Sequence, residues 1–282
     1  MENTVSTPTS ATGRLPALFV SHGSPMFALE AGQTGPALRQ FGTALRAQFP
    51  QLRGVVIMSP HWMSPFAEVM SNPHPQTWHD FGGFPPELYQ LQYPAHGDPA
   101  LADEVAELLN AQGFGARLNP QRPMDHGAWV PLMHLFPEAD LPIVEVALPQ
   151  TADARDVYAM GQALQSLRDQ GVLIIGSGSM THNLREFFGG GQAPADYVIE
   201  FSRWIEQRVQ AADIEALLNW REQAPHALRA HPTDEHFLTL YFALGAGGHN
   251  AKAEYLSREV MYGMLAMDAF ALYNQALFHQ KK

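Results

Sequence analysis

The chain has no cysteine, so it can build neither a disulfide framework nor a thiolate site, and any metal it holds must sit on nitrogen and oxygen. It is also poor in cations. With 17 Lys+Arg against 28 Asp+Glu the formal net charge is −11, which leaves no clustered positive surface for nucleic acid or an anionic membrane. No apolar run approaches the roughly 18 to 20 residues that a membrane span needs. Residues 1–13, MENTVSTPTSATG, lack the apolar centre of a signal peptide and the Arg-rich pattern of a transit peptide. A disordered tail over 1–13 and a cytoplasmic location are therefore expected. No GxSxG occurs, so a nucleophile elbow is unsupported, and Gly176 to Thr181 misses the GxGxxG of a dinucleotide site at its last position. These absences leave a small molecule as the expected partner, without nucleic acid or membrane.

What the chain does have is histidine: 13 of them in 282 residues, roughly double an ordinary share. Three stand in a repeated setting, where a short apolar run breaks and an imidazole follows. Leu15 to Val20 breaks at Ser21, His22, Gly23. Gly54 to Met58 stops at Ser59 and Pro60 with His61 next, and Val172 to Ile175 runs into a Gly/Ser loop and then His182. Such runs read as buried strands. In open α/β sheets, ligands gather beyond the carboxyl ends of the strands, so three strands deliver imidazoles to one edge.

Between the strands lie helical patterns: Ala37 to Phe49, Asp98 to Asn110, Ala128 to Leu135 and Asp153 to Leu167. Leu141 to Leu148 reads as a strand with a polar Glu145 inside it, and weaker strands are expected at Phe66 to Met70 and Ala116 to Leu118. Ser71 to Pro86 is a long aperiodic loop, and loops of that length in a compact domain usually border a site. Tyr197 to Ala211 and Ile214 to Trp220 read as helices, Pro232 as a first-turn proline before a helix over Asp234 to Gly245, and Val260 to Leu272 as a last helical or extended stretch. The alternation predicts an α/β fold: one domain over residues 14–282, a central mixed and largely parallel sheet flanked by helices, and a site at the C-terminal ends of the strands.

His22, His61, His126, His182 and His236 are the residues this topology can bring to that crevice. Three neutral imidazoles on one face of a divalent ion leave open coordination positions, as substrate activation at a metal requires. For a single strand-end histidine a hydrogen-bonded structural role is the commoner outcome. Three in equivalent places shift the balance, although spacing alone does not decide it.

HGSPM at His22, PHW at His61, HDFGGFP at His79 to Pro85, DHGAWVPL at Asp125 to Leu132, THNL at Thr181 to Leu184 and EHFLTLYFALGA at Glu235 to Ala246 occur in that order over nearly the whole chain. As a set they resemble the class III extradiol ring-cleavage dioxygenases, and among these the 4,5-DOPA extradiol dioxygenase-like branch. The resemblance implies one divalent ion on His22, His61 and His236, with iron(II) expected for activity and zinc(II) compatible with the same site. It implies His182 as the acid/base histidine beside the metal, close enough to count as a fourth ligand when zinc is bound. It implies His126 as a histidine that meets substrate or oxygen. More distant relatives use a carboxylate as third ligand, and Glu235 adjoins His236. Neighbouring helical residues point about 100° apart, so only one of the two should face the ion, and His236 is the expected one. Thr239 stands where a proline is common in the family, and His231, ahead of Pro232, is left outside the site.

The implied partners are a small catechol and O₂, with monomer and homo-oligomer both compatible. Two other functions share these residues: a zinc hydrolase with His182 as base, and a metal-binding scaffold without turnover. His74 and His79 are candidates for the cavity mouth, Trp62, Trp78, Phe81, Phe84 and Trp129 for a stacking wall, and Arg122 and Arg185 for a carboxylate contact.

Overall fold

The continuous apolar runs become the centre of the sheet, because a strand covered on both faces has no polar side to present. The computed structural model describes residues 13–187 and 193–274; the expected tail over 1–13 falls outside it except for Gly13. In chain order the elements are β1 (Ala17–Ser21), α1 (Thr34–Gln48), β2 (Gly54–Ser64), β3 (Glu68–Met70), α2 (Pro99–Ala111), β4 (Arg117–Asn119), α3 (His126–Leu135), β5 (Ile143–Pro149), α4 (Ala154–Ala163) and β6 (Val172–Gly178). Then come α5 (Asp196–Ala211), the short α6 (Ile214–Leu218), α7 (Trp220–Gln223) and α8 (Ala227–Ala230), α9 (Glu235–Gly247), β7 (Lys252–Ser257), the pair β8 (Val260–Met261) and β9 (Leu265–Ala266), and β10 (Ala269–Tyr273).

The sheet runs β4-β3-β5-β2-β6-β1-β10-β7. Its inner four strands, β5, β2, β6 and β1, are parallel, with Val55 opposite Ile143, Val56 opposite Ile174 and Leu18 opposite Ile175. Antiparallel strands close both sides, β3 on β5 and β10 on β1, so the sheet is mixed but parallel where it is deepest. All four inner strands therefore end at the same edge. No helix among the described residues is long and apolar enough to cross a membrane.

Alternation along β6 shows how the two faces are covered. A side chain at Gly176 or Gly178 would run into α9, against Thr239 and His236, whereas the hydroxyl of Ser177 bonds to the Gly127 carbonyl of α3. Successive strand residues point to opposite faces, so α9 and α3 sandwich the sheet. Helix α9 is buried nearly all round, Phe237 to Gly247, as befits one pressed between the sheet and α4. Only a glycine at 178 lets the first turn of α9 lie flat on the strand end. Gly178→Ala is expected to cost about 1–3 kcal/mol through overpacking and to loosen whatever His236 holds, read as a lower urea midpoint together with weaker metal retention.

Of the two forms left open for Val260 to Leu272 the extended one is adopted. Three local features differ from expectation: the edge strand Lys252–Ser257 precedes that stretch unforeseen. The helix after Asp153 stops at Ala163 and tightens into a 3-10 turn over Gln165–Gln170. Pro232 does not lie in the first turn of α9, which begins at Glu235 with Asp234 as its cap residue.

Candidate metal centre

Each of the five imidazoles arrives on a different element. His22 directly follows β1, His126 opens α3, His236 sits in the first turn of α9, and His182 lies in the loop beyond β6. His61 was expected past the end of its strand but lies within β2. The ladder to β5 pairs Ser59 with Ala147 and then Met63 with Leu148, so Pro60, His61 and Trp62 bulge out between them. A bulge tolerates a proline, which has no N–H to give the ladder, and re-aims the side chain beside it. The backbone N–H of His61 turns back to the Ser59 hydroxyl at 3.2 Å.

These elements converge. Ring centroids of His22, His61 and His236 lie 5.1, 5.5 and 5.0 Å apart pairwise, about the spacing of three imidazoles bound through nitrogen at ~2.1 Å to one ion. His22 Nε2 and His61 Nε2 are 3.1 Å apart, which suits two donors ~2.1 Å from a shared ion at near a right angle. His126 packs on His61 at 4.0 Å, and His182 stacks on His236 at 3.6 Å, nearly parallel. Two adjoining donor groups result: His22, His61 and His126 offer ligand atoms within 4.8 Å of one another, and so do His182, Glu235 and His236.

Outer hydrogen bonds decide which nitrogen of each ring is left free. The Ser177 hydroxyl spends its proton on the Gly127 carbonyl, so toward His22 Nδ1, 3.0 Å away, it can only accept. His22 therefore carries its proton on Nδ1 and turns a bare Nε2 toward His61. Glu235 Oε1 accepts from His236 Nδ1 at 2.9 Å, which occupies the rival carboxylate and frees His236 Nε2. Asp80 accepts from both the backbone N–H of His126, at 3.0 Å, and its Nδ1, at 2.9 Å. The same carboxylate thus replaces the missing side-chain cap of α3 and aims His126. Partners of this kind fix tautomer and ring orientation in metal sites. For Ser177→Ala we expect about 10- to 100-fold weaker metal binding with an unchanged fold, measured by competition with a chromophoric chelator.

The electrostatics favour neutral rings. Burial, with neighbouring imidazoles adding to it, holds His22 and His236 well below the ordinary histidine value, and burial with His126 brings His61 to about 4. Burial also lowers His182, against the pull of Glu235. Burial opposes ionisation of Asp80, but the hydrogen bonds from His126 and the attraction of that ring together hold it below its usual range. Behind His61 and His126 lies a buried polar frame. Asp125 accepts from Ser59 Oγ at 2.8 Å and from Arg122 at 2.7 Å, and Arg122 stands 3.7 Å from Glu145. Burial and the adjoining Asp125 carboxylate push Glu145 far up. Burial opposes ionisation of Asp125 too, but Glu145, His61 and Arg122 prevail and hold it at about 2.

A cavity of about 340 Å³ opens in front of the imidazoles. His61, His126, His182 and His236 line it, while His22 stands behind them. The loop over 71–86 supplies Asp80, Phe81 and Phe84, and Gly23, Ser24, Pro25, Leu184, Phe187 and Leu265 complete the wall. Other sequence candidates go elsewhere. His79 bonds to the Leu91 carbonyl at 3.0 Å and pins the loop, His74 packs on His96, and His231 is buried against the Met180 carbonyl. Neither Trp62, Trp78 and Trp129 nor Arg122 and Arg185 line the cavity. Asp80, Ser177 and Phe187 were not anticipated, although Asp80 lay inside the HDFGGFP motif.

Comparison with known proteins follows the same line. Residues 16–270 match the family described as the catalytic LigB subunit of aromatic ring-opening dioxygenase. A 4,5-DOPA dioxygenase extradiol from Beta vulgaris is 35% identical over 254 residues, covering 89% of this chain and 94% of that protein. The Escherichia coli (strain K12) protein of the same name is 34% identical over 246 residues, covering 83% and 85%. Among solved structures, an uncharacterized protein from Escherichia coli K12 superposes with a TM-score of 0.76 at 28% identity, covering 92% of this chain and 99% of the other.

Proposed function

The chain belongs to the LigB family of aromatic ring-opening dioxygenases, and from that premise we propose that it is an extradiol dioxygenase that opens a catechol beside its two hydroxyls. In this reading His22, His61 and His236 hold one iron(II), and His182 and His126 act on the substrate. The supporting observation is the set of hydrogen bonds that protonate the outer nitrogens of His22 and His236 and leave both Nε2 atoms bare beside His61. All three donors are neutral nitrogens, which suit iron(II) and also zinc(II), the stronger binder in the usual affinity order. Iron(II), when bound, supplies the redox and Lewis-acid chemistry by which O₂ attacks a catechol.

The protein's own residues have definite work. His182, neutral at pH 7 because burial lowers it, accepts a catechol proton and returns it as the ring opens. His126, locked by Asp80 on its Nδ1 side, presents Nε2 as a hydrogen-bonding group to the bound oxygen-bearing edge of the substrate. The aromatic and aliphatic wall excludes water and holds the ring in place, so that reactants meet already oriented. One catechol takes up one O₂, one ring carbon–carbon bond breaks, and both oxygen atoms stay in the product, so no outside reductant is needed.

The test is oxygen uptake by the iron(II)-loaded protein mixed with catechol, together with the yellow absorbance of a ring-opened product. Uptake in a 1:1 ratio with product is the expected result. Ester or amide hydrolysis without oxygen by the zinc form would favour a hydrolase instead, and neither reaction would leave a scaffold.

A further inference from the structure

Resting on the reading of this site as a catechol-cleaving centre, we infer that its substrate is a catechol whose ring substituent is uncharged and apolar. Imidazoles are four of the thirteen residues that line the cavity. Its 340 Å³ lies in the range that takes drug-sized ligands, so a bare catechol ring leaves part of it empty, and a substituent must fill the rest. The surfaces that substituent meets are Phe81, Phe84, Leu184, Phe187 and Leu265.

A carboxylate finds no counter-ion there. No lysine or arginine lines the cavity among the described residues. Arg122, the cation nearest His126 in sequence, is committed to Asp125 and sandwiched by Trp62 and Trp78, with its guanidinium 4.6 and 5.0 Å from their ring centres. Arg229, across from the His182 loop, is held by Glu186 at 2.8 Å. Residues 188–192 read Phe-Gly-Gly-Gly-Gln and bring no cation.

The charges that do face this space are acidic. Asp80 is in the wall, Glu235 backs His236, and at the rim Tyr262, packed on Phe187, bonds to Glu30 at 2.9 Å. An anionic arm would lose its hydration, gain at most the Ser24 hydroxyl as a donor in place of a counter-ion, and be repelled besides. An ammonium arm would have to shed its own hydration for one carboxylate whose Oδ1 is taken by two N–H groups of His126 and whose Oδ2 stands 3.9 Å from His61 Nδ1. An alkyl or aryl arm, by contrast, exchanges water for rings and leucines, with each buried methylene strengthening binding about four-fold.

The test compares 4-butylcatechol with 3-(3,4-dihydroxyphenyl)propionate, which has the same reach but ends in a carboxylate, alongside dopamine and catechol itself. Two readouts are used: kcat/KM from oxygen uptake by the iron(II) protein, and Kd by calorimetry on the zinc(II) protein, which needs no turnover. At least a ten-fold preference for 4-butylcatechol is expected in both. Leu184→Arg, which places a cation at the half-exposed rim, should shrink that ratio to below three. Equal or better use of the propionate, its selective loss in Arg185→Gln, or a preference for dopamine overturns the inference. If catechol is not cleaved at all, the catalytic reading fails, and the calorimetric ranking still decides this one.

Discussion

His22→Ala is expected to weaken metal binding more than about 100-fold and to abolish oxygen uptake with catechol, while the protein stays folded. The scale follows from the hierarchy of contacts. Losing an outer partner of a ligating histidine typically costs 10- to 100-fold in affinity, and losing the ligand itself must cost more. His22 is the deepest of the cluster, only 1% exposed, and stands behind the four imidazoles that face the cavity. Alanine there removes the nitrogen 3.1 Å from His61 Nε2, and His126 and His236 cannot take its place without leaving Asp80 and Glu235. His61→Ala and His236→Ala should behave alike. His182→Ala and His126→Ala should differ: metal is retained and turnover falls about 10²- to 10⁴-fold, the usual worth of a positioned acid or base. Metal content after dialysis against a chelator, read with the melting temperature, separates the two groups. Full metal occupancy in His22→Ala would sink the three-histidine assignment, whatever happened to activity.

The gathering of histidines at one sheet edge was partly legible in the sequence. The runs Val55 to Met58 and Val172 to Ile175 are too continuous for a half-exposed strand, and both lie in the parallel centre of the sheet with no exposure. His22 and His236 could be placed from punctuation alone, one after a broken apolar run and one at a helix start. His61 was harder, because Pro60 reads as a terminator. The strand continues to Ser64 since the bulge lets the proline skip its ladder bond. His79 and Asp80 show the limit most clearly. A histidine in an aromatic loop draws attention, yet adjacent side chains diverge, and here His79 reaches the Leu91 carbonyl while Asp80 reaches His126, 46 positions away. Ser177 is similar, a small residue in a buried strand whose role exists only because Gly127 and His22 flank it. Contacts made between distant segments leave no periodicity behind, so the second layer of the site stayed hidden while the first was visible. The edge strand Lys252–Ser257 was missed for a different reason. Only Ala253 in it is buried, so no apolar pattern marks it.

The second large effect concerns acid. The metal-free protein is expected to lose stability steeply as pH falls from about 6.5 toward 4, and the metal-loaded protein to resist this. Burial is the main cause of every shift involved: His22 and His236 lie well below 6.5, His61 at about 4, and His231 at about 3. In the unfolded chain these rings take up protons near pH 6.5, whereas in the folded one they stay neutral to much lower pH. Between the two values the unfolded state binds more protons, so lowering the pH favours unfolding, by about 1.4 kcal/mol per pH unit for each such group. Several groups acting together can use up the ~5–15 kcal/mol that holds an ordinary domain within one or two pH units of the window. Above pH 6.5 neither state is protonated and the slope vanishes. An ion on the Nε2 atoms adds a further cost to protonating them in the folded state and stabilises that state by mass action, so the loss moves to lower pH. Urea midpoints at pH 7.5, 6.5, 5.5 and 4.5, with and without zinc(II), measure both limbs. His231→Gln separates burial from metal binding, since that ring bonds only to the Met180 carbonyl and lies outside the proposed ligand set. The variant should flatten the metal-free slope by close to one proton and leave the zinc-dependent gap unchanged. Equal midpoints at pH 7.5 and 4.5 in the metal-free protein would mean that these imidazoles are open to water, and the dry, neutral donor set would have to be given up.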